Sequence, residues 1–182
     1  HHPDLRLDLR VQELPTGEDE RVDIEVLVSD ADLTPPPGYR VVPLLTEPYV
    51  AVLPRDHRLA GRDSIEMAEL AGERWIAHDA PEAWCRRITE RACVAAGFVP
   101  AYSVFTNGHP TAIAFVAQGI GVAAMPLLCV RDLTPDAVAV PLLNPTPERI
   151  VHVMVRRAVE DTAPVRRALA GLVAAAVDHP GR

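Results

Sequence analysis

VVPLLTEPYVAVLPRDHRLAGRDSIEMAELAGERWI, residues 41–76, carries the change of pattern on which the fold rests. Its first part, with Tyr39 and Arg40 before it, reads as a short strand ending near Leu45. Pro48–Leu53 is a continuous apolar run, the pattern of a strand covered on both faces. Charged Arg55-Asp-His-Arg58 leads the chain out of that strand. Ser64 is placed to cap a short helix whose apolar face is Ile65, Ala68 and Leu70. Arg74–Ala77 returns as a short strand. Alternation with period two has given way to a strand–helix–strand rhythm, which points to an α/β fold.

The same rhythm continues in both directions. Downstream, Trp84, Ile88, Ala92, Ala95 and Ala96 recur at helical spacing from Glu82 to Ala96, and Gly97 ends that helix. Tyr102–Phe105 reads as a strand, Thr111–Gln118 as a helix stopped by Gly119, and Val122–Met125 as a strand closed by Pro126. Leu127–Asp132 reads as a turn or two of helix. Val138–Leu142 and Ile150–Val155 are strands, and Pro164–Val177 is a long helix with proline in its first turn. Its apolar face is Val165, Leu169, Leu172, Val173 and Val177. Upstream, Leu5–Val11 alternates as a half-buried strand, Val22–Val28 is a second strand, and Asp30–Gly38, with three consecutive prolines, is a stiff loop. Helices between strands predict a mostly parallel sheet. The run Pro48–Leu53 reads as one crossing between two lobes, and the strand before the last helix as the return. The expected lobes are residues 1–53 with 153–182, and residues 54–152.

Composition removes several chemistries. The chain has 182 residues with 18 basic side chains, every one an arginine, and 25 acidic ones, for a net charge of −7. Without lysine there is no Schiff base, no P-loop cation and no lysine general base. That excludes PLP enzymes, class I aldolases, protein kinases and P-loop NTPases. The acidity opposes a phosphate backbone, and 4% aromatics are too few for base-stacking platforms, so nucleic acid is not an expected partner of this segment itself. Apolar runs such as Ile120–Leu128 fall short of the roughly 20 residues that span a bilayer. The opening His-His-Pro-Asp has no apolar signal segment, so the expected compartment is the cytoplasm, with no membrane partner. Cys85, Cys93 and Cys129 form no CxxC pair and read as reduced thiols, mostly buried. No G-x-S-x-G, H-E-x-x-H or H-x-x-E-H motif is present. Gly119-Ile-Gly121 precedes a strand, the wrong side for a dinucleotide fingerprint. No catalytic residue, cofactor or metal ligand is nominated.

Pro43, Leu44, Glu47, Leu53, Pro54, His57, Leu59, Ala60, Leu70, Ala71, Trp75 and Ile76 resemble, in order and spacing, the regulatory domain of LysR-type transcriptional regulators. Ala96-Gly-Phe-Val-Pro100, Val116–Pro126, His2–Leu7 and Val22–Val26 are similar to further motifs of that family. Arg58 stands where the family usually has proline. The resemblance implies a two-lobed fold like that of periplasmic binding proteins, with two crossover strands. It implies a small-molecule effector, an organic acid or aromatic metabolite, held between the lobes. It also implies a homodimer or homotetramer that meets DNA only through an N-terminal helix-turn-helix. The family's domain opens with one more strand and helix than this sequence shows, and the link from Glu13 to Val22 is too short for the helix expected there. The first lobe is therefore expected to be incomplete at its start.

Strand ends nominate the effector contacts, because ligands of open α/β sheets bind beyond the carboxyl ends of the strands. They are Thr16, His78, Phe105, Thr106 and Asn107. Thr and Asn suit a polar ligand, and Phe105 suits its apolar part. Plainer roles compete: Thr106 or Asn107 as helix caps, Asn107-Gly108 as a turn, and Phe105 as core. His78 and Asp79, being adjacent, are expected to point apart, which leaves His78 in a surface or turn role. His57 reads as a turn residue that satisfies backbone groups, and His109 is given no role. Any anionic effector must be held by arginine, backbone N–H groups or hydroxyls. Competing functions are a transporter's solute-binding protein and an enzyme on the same fold, such as a dehydratase or transferase.

Overall fold

The computed structural model describes residues 8–10, 22–31 and 33–177. Its strands are β1 (Ile24–Ser29), β2 (Tyr39–Pro54), β3 (Ile65–Glu66), β4 (Arg74–Ala77), β5 (Ala101–Phe105), β6 (Ala123–Pro126), β7 (Ala137–Leu143) and β8 (Glu148–Arg156). Its helices are α1 (Trp84–Ala95), α2 (His109–Ala117) and α3 (Ala163–Val177), with single 3-10 turns at Met67–Leu70 and Leu127–Val130. Strand order is β1-β8-β2-β7-β3, with β6 also on β2 and β4–β5 as a separate pair. The chain divides into two compact units, residues 1–46 with 150–182 and residues 47–149, and both divisions fall inside strands, β2 and β8. Among the described residues no helix is long and apolar enough to cross a membrane.

In the first unit β1 runs antiparallel to β8, from Ile24 opposite Val155 to Ser29 opposite Ile150. Val151, Val153 and Val155 alternate with the pleat and are buried. Ser29 is fully buried, its Oγ 2.9 Å from His152 Nε2. Arg40 pairs with Glu160 at 2.8 Å. On α3 Ala176 is buried, while Val173 and Val177 of the expected apolar face are exposed. Apart from residues 8–10, which carry no regular structure, the strand expected at Leu5–Val11 lies outside the described residues.

In the second unit the later part of β2 is fully buried and takes β6 and β7 as antiparallel neighbours, with Val52 opposite both Ala123 and Ala139. β3 pairs parallel with β7, and β4 parallel with β5, Arg74 opposite Ala101 and Ala77 opposite Phe105. The sheets are thus mixed, and the expected parallel pairing is confined to the strands separated by helices. An apolar run marks a central strand, and a central strand is equally covered whichever way its neighbours run.

Two local readings change. Tyr39–Leu45 and Pro48–Leu53 are one strand, β2, because Pro48 sits within it without ending it and Tyr49 N–H donates to Pro147 O at 2.8 Å. Ser64 caps nothing: Ile65 and Glu66 are taken up by β3, the turn starts later, and Glu69 Oε2 accepts the Glu66 N–H at 3.0 Å.

The core of this unit gathers Val50 and Val52 of β2, Ile76 of β4, Ala112, Ile113 and Val116 of α2, Ala123 and Met125 of β6, Val130 and Ala137. Each large aliphatic side chain buried there contributes about 1.5–3 kcal/mol of transfer free energy. On α1 the buried residues Cys85, Ile88, Thr89, Ala92 and Cys93 keep the i, i+3, i+4, i+7 spacing of one helix face. Gly97, at φ +90°, ends that helix as expected.

Gly121 fixes β4 against the start of β6. Ile76 N–H donates to Val122 O at 2.9 Å, and Val122 N–H to Arg74 O at 2.8 Å. A Cβ on Gly121 would lie 2.5 Å from Arg74 O, a backbone atom that cannot yield without breaking this ladder. Gly121→Ala is expected to cost on the order of 2 kcal/mol by overpacking. Gly61→Ala, with nothing within 4 Å of its added methyl, is expected to be near neutral. Thermal denaturation of the two variants checks this contrast.

Candidate functional site

The parallel pair β4–β5 sets two chain ends side by side. Beyond Ala77 and Phe105 the pairing continues in the backbone, with Thr106 N–H donating to Ala77 O and Gly108 N–H to His78 O, both at 2.9 Å. Gly108 then turns the chain at φ +88°, a conformation that favours glycine, and α2 begins at His109. The turn folds His109 over His78, with ring centroids 4.5 Å apart.

His78 is buried, and its Nε2 lies 3.0 Å from Ala124 O on β6. A carbonyl only accepts, so that nitrogen carries the hydrogen. The other nitrogen, Nδ1, lies 3.4 Å from Asp79 Oδ2. The two adjacent side chains therefore face each other, against the expectation that they point apart. Leaving the end of β4, the backbone is no longer pleated, and successive side chains need not alternate. His78 Nδ1, Asp79 Oδ2 and His109 Nε2 are all buried with no hydrogen-bond partner among the described residues. Burial pushes the Asp79 carboxyl up, but the His78 ring beside it, then His109 and Cys85, outweigh burial and hold it below its ordinary value. Burial first, then the charge of His78, pushes His109 down to about 4.

A recess beside these groups is lined by Ala77, His78, Asp79, Arg86, Thr89 and Tyr102. Thr89 Oγ1 and Arg86 Nη1 are buried there without a hydrogen bond. Arg86 is steered by Glu90, at 2.8 Å, and lies over the rings of Tyr102 at 4.5 Å and Phe105 at 5.4 Å.

A second polar centre lies deeper in the same unit. Glu47 is fully buried, with Oε1 accepting from Arg149 Nε at 2.7 Å and Oε2 from Leu128 N–H at 2.7 Å. Arg149 Nη1 also reaches Cys85 Sγ at 3.5 Å. Burial pushes the Cys85 thiol up, Cys129 to about 11 and Cys93 to about 12. All three cysteines are unbridged, and Cys129 is only half-buried.

Of the nominated residues, Thr16 lies outside the described residues. His78, Phe105, Thr106 and Asn107 come together at the edge of β4–β5. Phe105 is 66% exposed, so it is not core. Neither Thr106 nor Asn107 caps α2, whose N-cap is Gly108 with no side-chain hydrogen bond. His57 keeps its turn role, its Nδ1 accepting the Leu59 N–H at 3.3 Å while Nε2 lies 3.2 Å from Glu73. Sequence reasoning missed Asp79, Arg86, Thr89 and His109. The available signal was a polar pair ending one strand and a histidine opening the helix after the next.

Residues 1–176 match the family described as the LysR substrate binding domain. The chain belongs to this family. The match favours the regulator over the transporter and enzyme readings. The chain is 39% identical over 80 residues to the HTH-type transcriptional regulator ShiR of Corynebacterium glutamicum (strain R), covering 42% of this chain and 26% of that protein. Among solved structures, the regulatory domain of Synechocystis PCC6803 CcmR in complex with 2-PG shares the fold, with TM-score 0.70, 17% identity, and coverage of 86% of this chain and 74% of that one. The C-terminal domain of a probable LysR family transcriptional regulator from Rhodococcus sp. RHA1 gives TM-score 0.63 at 26% identity, with the same coverage. The LysR substrate binding domain fold resembles that of periplasmic binding proteins, as the sequence motifs imply.

The depressed His109 gives a pH signature. The unfolded chain takes up the histidine proton near 6.5, while the folded one resists until about 4. Protons therefore favour the unfolded state in this window, and stability is lost as pH falls from about 6.5 towards 4. Melting temperatures across that range are expected to fall less steeply in His109→Asn than in the parent. Identical slopes would refute the assignment.

Proposed function

We propose that the edge formed by β4 and β5 is where this LysR substrate binding domain takes its effector, and that the domain is the sensing part of a transcription regulator without catalytic activity. The observation that carries the reading is the set of buried polar atoms without a hydrogen bond around one strand edge: His78 Nδ1, Asp79 Oδ2 and His109 Nε2, with Thr89 Oγ1 and Arg86 Nη1 of α1. Leaving such atoms unpaired costs about 1–3 kcal/mol each, and a polar ligand removes that cost. The edge also offers the start of α2, where no side chain competes for the backbone N–H groups.

The ligand class follows from these groups. In a chain without lysine, Arg86 and the α2 backbone supply the positive field for a carboxylate. Thr106 and Asn107 supply short polar contacts, and Phe105 and Tyr102 cover an apolar or aromatic part. The effector is thus a small organic acid, with or without a ring. CcmR, a similar fold, is described with 2-PG bound. In the parent regulator, which acts in the cytoplasm as a homodimer or homotetramer, DNA contact falls to a helix-turn-helix module elsewhere. Binding biases the assembly between arrangements that present those modules differently.

The test is a thermal-shift screen of small organic acids, 2-PG among them. A true effector at 100 times its Kd stabilises by about 2.7 kcal/mol, a shift of several degrees. His78→Ala and Thr106→Ala are expected to abolish the shift while remaining folded. An effector whose shift survives both substitutions binds elsewhere and overturns the assignment.

A further inference from the structure

One ring nitrogen of His109, one nitrogen of His78 and one carboxylate oxygen of Asp79 lie within 4.8 Å of one another. We propose that these three residues bind a divalent transition-metal ion of the zinc class, with a coordination position left for water. The inference shares His78, Asp79 and His109 with the effector reading, and the metal alone is the probe, so that either can fail without the other.

His78 Nε2 donates to Ala124 O, so Nδ1 presents either a bare lone pair or a second N–H to Asp79. A bare lone pair facing a carboxylate at 3.4 Å is repulsive. A cation belongs between them. A proton is the plainer choice, but a charge-assisted N–H···O bond closes to about 2.7–2.9 Å. Zinc ligands at bonds of about 2.0–2.1 Å in tetrahedral array lie about 3.3–3.4 Å apart, which is the separation of His78 Nδ1 from Asp79 Oδ2, and the His109 nitrogen, within 4.8 Å of both, closes on the ion by a turn of its ring.

All three ligand atoms are buried and make no hydrogen bond, and the His78 side chain is 95% buried, with 5% of its surface exposed. A metal-bound histidine usually donates its other N–H to a carbonyl or carboxylate, and His78 donates to Ala124 O. The chain between the ligands is fixed by the bonds from Thr106 to Ala77 and from Gly108 to His78. Two imidazoles and one carboxylate, without thiolate, suit Zn²⁺, Co²⁺ or Ni²⁺ better than Ca²⁺ or Mg²⁺, which prefer oxygen.

The experiment is a cobalt(II) titration followed by visible absorption and by melting temperature. It uses the full chain carrying His1→Ser and His2→Ser, which removes the terminal histidines as competing ligands. The expected result is one ion per chain, with the intense d–d bands of a four-coordinate site, a raised melting temperature and reversal by EDTA. His109→Asn is expected to weaken binding at least tenfold, as is Asp79→Asn. Asp79→Cys is expected to restore binding and add a thiolate-to-cobalt charge-transfer band. His57→Gln is expected to change nothing. A spectrum of octahedral aqueous cobalt throughout would mean that a proton alone joins His78 to Asp79, and would overturn the proposal. So would binding that survives His109→Asn, or Asp79→Cys without the new band.

Discussion

The parallel pairing of β4 with β5 is the constraint on which the rest of the second unit depends. Parallel strands need a crossover between them, and here α1 supplies it, packing Cys85, Ile88, Thr89, Ala92 and Cys93 inward. The pairing brings both carboxyl ends to one edge. Two further backbone bonds, from Thr106 and Gly108, carry it past the strands themselves. Gly108 then redirects the chain so that the first residue of α2 stacks on the first residue beyond β4. Without that register His109 would lie apart from His78 and Asp79. With it, three titratable groups share one buried place.

Glu47 and Arg149 do different work. Both sit where the chain passes between its two compact units, at the ends of residues 47–149. A buried ion pair adds little net stability, because desolvating both charges offsets their attraction. Losing one partner, however, strands the other charge at a cost of ~3–5 kcal/mol. The pair therefore acts as a register pin. Glu47 reaches Arg149 with one oxygen and the Leu128 N–H with the other, tying β2 and β8 to the turn after β6. Arg149 also lies against Cys85, so the start of α1 is keyed to the same point.

The legible part of the fold was what period and punctuation encode. The apolar run Pro48–Leu53, the helix stop at Gly97 and the Arg74–Ala77 strand all follow from local rules, and each stands in the structure. Strand direction was not legible, because covering both faces of β2 leaves the same pattern in a mixed sheet as in a parallel one. The site was legible only as strand ends. His78, Phe105, Thr106 and Asn107 could be nominated because ligands gather there. His109 could not, since its place over His78 depends on a positive-φ turn at Gly108 and on the β4–β5 register, neither of which a one-dimensional pattern records. Asp79 was discounted by a rule about neighbouring side chains that holds within a strand and fails one residue beyond it. Arg149 lay among ordinary surface arginines in sequence, and only burial beside Glu47 sets it apart.

The most direct test of the β4–β5 edge as the ligand site is a ¹H–¹⁵N NMR titration with whichever organic acid raises the melting temperature. The largest amide shifts should fall on His78, Asp79, Thr106–His109 and Thr111–Ala112, with weaker changes at Arg86 and Thr89. Largest shifts on β7, or anywhere that leaves those amides unmoved, would contradict the account.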